Sequence, residues 1–154
     1  MASPILRPAE VRDLPFILRT ERHYMSEIEP GHLDGWTAAL DRNLALWIDN
    51  LGHTTMVADD AENVGYAMWM PEGAEATLMG VHVLPGFRRR GLGALLLDAF
   101  AEGAHGNGAQ TLKLGVHRDN PARQLYERAG YRQVGTDGDY LLYQRETRSR
   151  PPRP

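Results

Sequence analysis

Three consecutive arginines stand immediately before two closely spaced glycines in the middle of the chain. They are Arg88, Arg89 and Arg90, followed by Gly91 and Gly93. The glycines lie where a β-rich stretch gives way to a Leu-rich helical stretch, so they mark the predicted start of a helix. Backbone N–H groups at a helix start lack partners within the helix, and together with the helix dipole they favour an anion. Because guanidinium groups suit phosphate oxygens, this turn is predicted to bind a pyrophosphate.

Two other phosphate-binding patterns and one structural explanation compete for this turn. A P-loop would need a lysine where Leu92 stands, and a dinucleotide-binding fingerprint would need a third glycine where Leu96 stands. The structural explanation is an ordinary glycine turn with a solvated basic face. The turn taken alone leaves that explanation open.

A second stretch, residues 120–131, has the sequence NPARQLYERAGY. Asn120 is a good N-cap with Pro121 at the first helical position, and Gly130 suits the position after the last helical turn. Leu125 is predicted to pack into the core. From the residues alone, Tyr126 is best explained as an amphipathic aromatic on the surface of a helix.

The two stretches together resemble the GNAT superfamily of N-acetyltransferases. Residues 88–93 are similar to its R/Q-x-x-G-x-G/A motif. Residues 120–131 are similar to its N-x-x-A-x-x-L-Y-x-x-x-G-F/Y pattern, with one residue fewer between Asn120 and Ala122. The resemblance extends over residues 5–146, although the first third is similar only in the order of its elements. It implies that acetyl-CoA is the co-substrate and that the turn at residues 88–94 holds its pyrophosphate.

The resemblance also implies which residues contact acetyl-CoA. In relatives, the strands that correspond to residues 76–84 and 111–116 separate, and the pantetheine arm lies in the gap like an added strand partner. Asn120 is implied both to cap its helix and to contact this arm. The implied cofactor-binding residues are Val81, His82, Val83, Arg88, Arg89, Arg90, Gly91, Leu92, Gly93, Ala94, Asn120, Arg123 and Tyr126.

Acetyl transfer to an amine needs a base, a donor for the developing oxyanion and a group that stabilises the leaving thiolate. The resemblance implies that Tyr126 is the acid and that a backbone N–H near Val83 is the oxyanion donor. Many relatives place a glutamate base close to the position of Thr77, and a threonine cannot replace it. Glu75 and His82 are the main candidates for the base. The other carboxylates that stay open for this role are Glu27, Glu29 and Glu72.

The acidic residues around the predicted acceptor site favour a cationic amine as the acceptor. They lie within residues 26–35 and around Glu72. A polyamine-like or other amino metabolite, a drug amine and a peptide N-terminus all fit. Two functions of other classes stay open. One is a CoA-binding regulatory module without turnover, which the missing carboxylate at Thr77 favours, and the other is a nucleotide-phosphate binder of another type.

The elements that must position these residues follow from hydrophobic periodicity and from glycine and proline breaks. The predicted order is strand, two helices, three strands, helix, strand, helix and two strands, an α/β (α+β) fold. Asp13 is the predicted N-cap of the first helix. The resemblance implies a mixed, mostly antiparallel sheet of about seven strands with about four helices, splayed between the fourth and fifth strands. The predicted strands are 5–6, 54–58, 64–70, 76–84, 111–116, 131–135 and 140–144, and the predicted helices begin near 13, 34, 91 and 120, with a glycine-rich loop at 103–108.

Length and composition restrict the function further. The 154 residues favour one domain, predicted to span residues 1–146. The chain has no cysteine, which excludes thiolate metal sites, iron–sulfur clusters and cysteine nucleophiles. A net charge of −3 argues against a nucleic-acid partner. The histidines whose spacing predicts no metal site are His23, His32, His53, His105 and His117.

The remaining segments predict location and assembly. The apolar runs, residues 94–97 among them, are far shorter than the about 20 residues that span a bilayer, which predicts no membrane partner and a cytoplasmic protein. The Arg/Pro-rich residues 147–154 are predicted to form a disordered tail. The apolar run at residues 140–143 is predicted to lie at a sheet edge that a second copy covers, so the chain is predicted to be a homodimer, as relatives often are.

Overall fold

The computed structural model describes residues 3–147, which form seven strands and five α-helices. Of the predicted tail only Thr147 lies in that range, where its hydroxyl donates to the Ala109 carbonyl at 3.0 Å; residues 148–154 lie outside it. The strands are β1 Ile5–Pro8, β2 Thr54–Asp59, β3 Glu62–Glu72, β4 Glu75–Val83, β5 Thr111–His117, β6 Arg132–Asp137 and β7 Tyr140–Glu146. The helices are α1 Leu14–Ile28, α2 Leu33–Ala38, α3 Leu40–Asp49, α4 Leu92–Gly106 and α5 Arg123–Arg128.

The strands form one sheet in the order β1-β2-β3-β4-β5-β7-β6. Every neighbouring pair is antiparallel except β4 and β5, which are parallel. Parallel neighbours need a crossover connection, and α4 provides it. This topology confirms the predicted α/β (α+β) fold with a mostly antiparallel, seven-stranded sheet.

The parallel pair separates soon after it begins. The paired residues are Glu75 with Thr111, Ala76 with Leu112 and Thr77 with Lys113. Just beyond them, β4 carries an extra residue, Met79, between the two residues that face Met68 and Trp69 on β3. A bulge of this kind bends a strand. The two strands diverge from this point, which confirms the predicted splay between the fourth and fifth strands.

The sheet carries one hydrophobic core on each face. Helices α4 and α5 cover one face, where Leu96 and Phe100 are almost completely buried. Helices α1 to α3 cover the other face around Ile17 and Trp47. Because β4 and β5 separate in the middle of the sheet, the gap between them connects the two faces.

The segment predicted as one helix after Asp34 forms two. The chain turns at Ala39, which ends α2 and precedes α3. The rings of Trp36 and Trp47, whose centroids lie 6.4 Å apart, pack across this break. The structure therefore has one helix more than the sequence predicted, and the tryptophan contact holds α2 against α3.

Helix α4 continues through part of the segment that was predicted as a glycine-rich loop. Ala104 is completely buried, and a Cβ at Gly103 would lie 3.4 Å from the indole of Trp69. Packing of this helix turn against the sheet therefore overrides the weak helix propensity of glycine. Within residues 3–147, every helix is too short or too polar to cross a membrane.

Strand β7 lies inside the sheet, so its predicted position at an edge was wrong. It pairs with β5 along one side and with β6 along the other. The outer strand on this side of the sheet is β6, where Val134 exposes 51% of its surface. The homodimer stays a prediction, and an interface built by pairing along this side would have to use β6.

Candidate active site

The gap between β4 and β5 leaves part of the β4 backbone without a strand neighbour. In the described part of the chain, residues 78–83 pair with β3 on one side and with no strand on the β5 side. Backbone groups along such an edge can bind an extended ligand as an added strand would. The side chains of Val81 and Val83 pack against the α4 core, whereas the ring of His82 contacts Tyr66 on the opposite face.

The arginine and glycine turn joins this open strand to the N-terminus of α4. Gly91 has a φ of 78°, a left-handed conformation that favours glycine, and Arg89 has a φ of 64°. The three arginines are exposed. Arg88 donates from Nε to the Val83 carbonyl at 3.1 Å. Arg90 donates to the carboxylate of Asp59, the last residue of β2, at 3.3 Å. Cationic side chains and the unpaired N–H groups of the first helical turn therefore occur together, as a pyrophosphate site requires.

Gly93 lies on the first turn of α4 and faces α5. A Cβ at this position would lie 2.9 Å from Cδ2 of Leu125, so the glycine makes room for α5. Its neighbour Leu92 is buried in the core, and Ala94 is exposed. Close approach of a phosphate was the sequence-based reason for this glycine, and helix packing is a second reason that the structure adds.

Asn120 connects the second motif to α1. Its Oδ1 accepts the N–H of Ala122 at 2.9 Å, which starts the turn into α5. Its Nδ2 donates to the hydroxyl of Tyr24 at 3.2 Å. Arg123 follows on the exposed side of α5, where it lines an open pocket together with Glu127.

Tyr126 lies in the core on the α4 face, with 5% of its surface exposed. Its ring packs edge to face against Tyr131, with centroids 6.2 Å apart. Burial raises the pKa of Tyr126 above its ordinary value, so the hydroxyl stays protonated at neutral pH. Proton transfer from an ordinary phenol to a thiolate is already uphill by about 2 kcal/mol, and the raised pKa increases this cost. The environment therefore favours hydrogen-bond donation by Tyr126 over complete proton transfer.

His82 faces α1, on the other side of the sheet from Tyr126. Its Nε2 lies 3.1 Å from Oε1 of Glu21. Its ring packs against the rings of Tyr24 and Tyr66, with centroids 5.2 and 5.3 Å apart. The side chain is 15% exposed, so the ring is held by its neighbours but still reached by solvent.

Tyr24 links the two sides of the gap. Burial is the first cause that raises the pKa of Tyr24, a hydrogen bond to Glu29 is the second, and Tyr126 adds to the shift. Its hydroxyl accepts a hydrogen bond from Asn120 on the α5 side, while its ring contacts His82 on the α1 side. The structure thus connects two of the predicted site residues, His82 and Asn120, through Tyr24.

Glu21 was not among the predicted site residues, although the sequence contained a signal for it. It lies four residues after Ile17 and four before Met25, and both of these apolar residues are buried. Residues with this spacing share one face of a helix. A carboxylate in the middle of a buried stripe needs partners, and in the structure these are His82 and Tyr66.

Glu75, the other main candidate for the base, lies far from His82. It lies where β4 and β5 are still paired, seven positions before His82, a separation of roughly 23 Å along a strand. Lys113 forms ion pairs with Glu75 at 3.2 Å and with Glu72 at 3.0 Å. The hydrogen bond from Lys113 lowers the pKa of Glu72. Both carboxylates are thus engaged with a lysine at the closed end of the gap.

Glu29 is a second buried carboxylate, at the end of α1. It accepts a hydrogen bond from the Tyr140 hydroxyl, and metal-ligand atoms of Glu29, His32 and His117 lie within 4.8 Å of one another. The fold thus assembles a cluster that the spacing of the histidines did not indicate. His117 Nδ1 accepts the N–H of Asp119 at 3.1 Å, which assigns the ring proton to Nε2. A protonated Nε2 donates a hydrogen bond and has no lone pair for a metal ion. We therefore interpret the cluster as a group of hydrogen-bonding side chains around Glu29. The absence of a metal stays a prediction.

Comparisons with known proteins bear on this geometry. Residues 17–131 match the model of the acetyltransferase (GNAT) family. The chain is 32% identical over 123 residues to the [ribosomal protein bS18]-alanine N-acetyltransferase of Haemophilus influenzae, a match that covers 78% of this chain and 80% of that protein. The family match includes the arginine and glycine turn at residues 88–94.

Solved structures have the same fold. The PaiA N-acetyltransferase of Thermoplasma acidophilum, in complex with coenzyme A, superposes with a TM-score of 0.80 at 16% identity, covering 94% of this chain and 99% of that one. The ribosomal-protein-S18-alanine N-acetyltransferase of Escherichia coli superposes with a TM-score of 0.66 at 20% identity, covering 94% of each chain. The chain belongs to the acetyltransferase (GNAT) family and is an acetyl-CoA-dependent N-acetyltransferase.

Proposed function

We propose that the acceptor is the α-amino group at the N-terminus of a polypeptide. The observation that carries the proposal is the buried carboxylate of Glu29, which accepts a hydrogen bond from the Tyr140 hydroxyl and lies beside the rings of His32 and His117. A carboxylate flanked by aromatic rings suits an ammonium group. The Haemophilus influenzae relative, which is named for acetylating an alanine of a ribosomal protein, supports the same class of acceptor.

The ionisation of amines supports an α-amine over a side-chain amine. At pH 7 about a tenth of α-amino groups are neutral, against about one in 2,500 for a lysine-like amine. His82 is a modest base, and Thr77 supplies no carboxylate at the start of β4. A site with a modest base therefore suits an acceptor that loses its proton easily.

The catalytic roles are divided between the two faces of the sheet. His82 accepts the proton of the attacking amine on the α1 face, and Tyr126 donates a hydrogen bond to the leaving sulfur on the α5 face. The backbone N–H near Val83 stabilises the developing oxyanion. We assign the base to His82 and not to Glu75, because Glu75 is paired with Lys113 at the closed end of the gap.

Acetyl-CoA fits the residues that the sequence assigned to it. The free edge of β4 at residues 81–83 accepts the pantetheine arm, and the turn from Arg88 to Ala94 binds the pyrophosphate at the start of α4. Asn120 and Arg123 contact the cofactor from the α5 side. The homodimer and the cytoplasmic location remain predictions beside this assignment.

A panel of acceptors tests the proposal by measuring thiol release from acetyl-CoA. The panel contains a peptide with an N-terminal alanine, the same peptide with an acetylated N-terminus and an internal lysine, and spermidine. We expect kcat/KM for the free N-terminus to exceed both others by about 250-fold, as the difference in neutral amine predicts. Equal or faster acetylation of the blocked peptide or of spermidine would overturn it. Binding of acetyl-CoA without thiol release to any acceptor would instead support a regulatory module.

A further inference from the structure

We propose that Glu21 is a positioning residue that fixes the tautomer and orientation of His82, so that His82 Nδ1 receives the proton of the attacking amine. The proposal rests on the assignment of His82 as the base in the function proposed above. It concerns a residue of α1 that lies far from both sequence motifs, and it explains why a carboxylate occupies a buried helical stripe.

The carboxylate of Glu21 holds His82 through one oxygen. Oε1 lies 3.1 Å from Nε2 of His82 and accepts a hydrogen bond of 2.5 Å from the Tyr66 hydroxyl. A Cβ at Gly80 would lie 3.2 Å from His82 Nε2 and 3.3 Å from Glu21 Oε1, so the missing side chain leaves room for the pair. Tyr24 closes the other side of the imidazole ring. The ring thus has one partner that orients it and two aromatic neighbours that limit its rotation.

The hydrogen bond determines which nitrogen is free to act. An ionised carboxylate can only accept hydrogen bonds, so Nε2 of His82 must carry the proton. In the neutral ring, Nδ1 then has a lone pair. In this state two donors hold the ionised carboxylate, since the Tyr66 hydroxyl and His82 Nε2 both lie within hydrogen-bond distance of Oε1. Burial opposes the ionisation of Glu21, but its pKa is nevertheless lowered. A carboxyl with a lowered pKa is itself a poor base, which leaves the proton to His82.

The reaction step balances with these groups. The amine nitrogen forms a bond to the acetyl carbon, the bond from that carbon to sulfur breaks, and the electron pair stays on sulfur. The proton lost by the nitrogen goes to Nδ1 of His82, which becomes an imidazolium ion, and Glu21 stabilises this cation. Release of a proton to solvent then restores the neutral ring.

Long-range proton–nitrogen NMR of the histidine rings tests the tautomer without any acceptor. The His82 signal is identified by its loss in the His82→Gln variant. We expect the parent to show the Nε2–H tautomer of His82 and the Glu21→Gln variant to show a mixture of both tautomers. A parent protein with the proton of His82 on Nδ1 would overturn the proposal.

Kinetics of the same variants separate positioning from structure. The Glu21→Gln variant is isosteric, and we expect its kcat to fall by about 10- to 100-fold with little change in KM for acetyl-CoA. The matched control is Tyr66→Phe, which keeps the carboxylate and changes kcat less, while thermal melting identifies any general loss of stability.

The outcomes also distinguish this proposal from the function on which it rests. A large loss in His82→Gln with none in Glu21→Gln would overturn the positioning role and keep His82 as the base. Unchanged turnover in His82→Gln would overturn the base assignment itself, and with it the role of Glu21. A kcat for Glu21→Asp that lies between those of the parent and of Glu21→Gln supports the proposal, because it shows that a negative charge near Nε2 is needed.

Discussion

The two faces of the gap between β4 and β5 are built in different ways. On the α4 and α5 face, the proposed cofactor side combines the open edge of β4 with two contiguous stretches, residues 88–94 and 120–131. On the α1 face, the proposed amine side comes from Glu21 and Glu29, in the middle and at the end of α1, and from His82 on β4, 61 residues after Glu21. The cofactor side uses backbone groups at a helix start, which a short motif can specify. The amine side uses individual side chains, which only the folded chain brings together.

We expect this difference to separate cofactor binding from acceptor selection within one molecule. A pyrophosphate needs N–H groups and arginines, which a turn before a helix can supply. An amine acceptor needs a base and a pocket of the correct shape and charge, and in this chain Tyr24 connects them, contacting His82 and bonding to Asn120. Substitutions on the two faces therefore have different kinetic signatures.

The largest effect is expected for His82→Gln. Loss of the base lowers kcat by about 10²- to 10⁴-fold, whereas the affinity for acetyl-CoA changes little because the β4 contacts implied for the cofactor are made by backbone groups. Steady-state kinetics with the alanine peptide and calorimetric titration of acetyl-CoA measure the two quantities. The matched control is His53→Gln, since His53 stacks on Trp69 away from the gap. A kcat within threefold of the parent would remove His82 from the chemistry.

A smaller effect is expected for Tyr126→Phe on the opposite face. A hydrogen bond to a charged group contributes about 1.5–3 kcal/mol, so kcat falls by about 10- to 100-fold and KM changes less. The phenyl ring retains its contact with Tyr131, which keeps the melting temperature near that of the parent. Full retention of kcat with chemistry shown to be rate-limiting would leave a water as the donor.

Gly93→Ala tests whether the glycine serves packing or the cofactor. The added methyl group would lie 2.9 Å from Leu125, so we expect a destabilisation of about 1–3 kcal/mol. In the double variant Gly93→Ala/Leu125→Val the shortened side chain makes room, and stability recovers at least in part. Denaturant unfolding measures the stability, and calorimetry measures the acetyl-CoA affinity. Recovery of both quantities assigns the glycine to packing, whereas an affinity that stays low after stability recovers assigns it to close approach of the pyrophosphate.

The fold was predicted from the sequence, and the sequence also offered more residues for the proposed cofactor side than for the proposed amine side, for reasons that particular residues show. Gly91 and the arginines before it could be interpreted locally, because a helix start and its charges are contiguous. Glu21 could be recognised as a site residue only once it was known that the buried stripe of α1 packs beside β4. The Glu29 cluster depends on the fold as well, because the fold places His117, at the end of β5, next to the end of α1. Strand β7 was misplaced because an apolar run does not reveal which neighbours a strand has in the sheet.

Asp13 shows the same limit at the start of α1. It was predicted to cap the helix, but its carboxylate makes no capping hydrogen bond to α1. Instead it accepts two hydrogen bonds from Arg7, at 2.7 and 2.8 Å, and one from Asn63 at 3.0 Å. These contacts attach the beginning of α1, which carries Glu21, to strands β1 and β3.

The smallest effect on turnover is expected for Asp13→Asn, which loosens α1 without touching the gap. The hydrogen bonds of Arg7 lower the pKa of Asp13 from 3.8 to about 2. Because the folded-state pKa is depressed, the ionised carboxylate stabilises the fold by about 2 kcal/mol above pH 5, and this contribution is lost as the pH falls through about 2. The variant should therefore be less stable than the parent at pH 7 and equal to it near pH 2, with kcat at 25 °C unchanged.

The control Arg12→Gln removes an exposed ion pair with Glu10, which contributes little, so its unfolding curve should match the parent at both pH values. A stability difference between parent and Asp13→Asn that does not change between pH 7 and pH 2 would assign the role of Asp13 to packing and not to its charge.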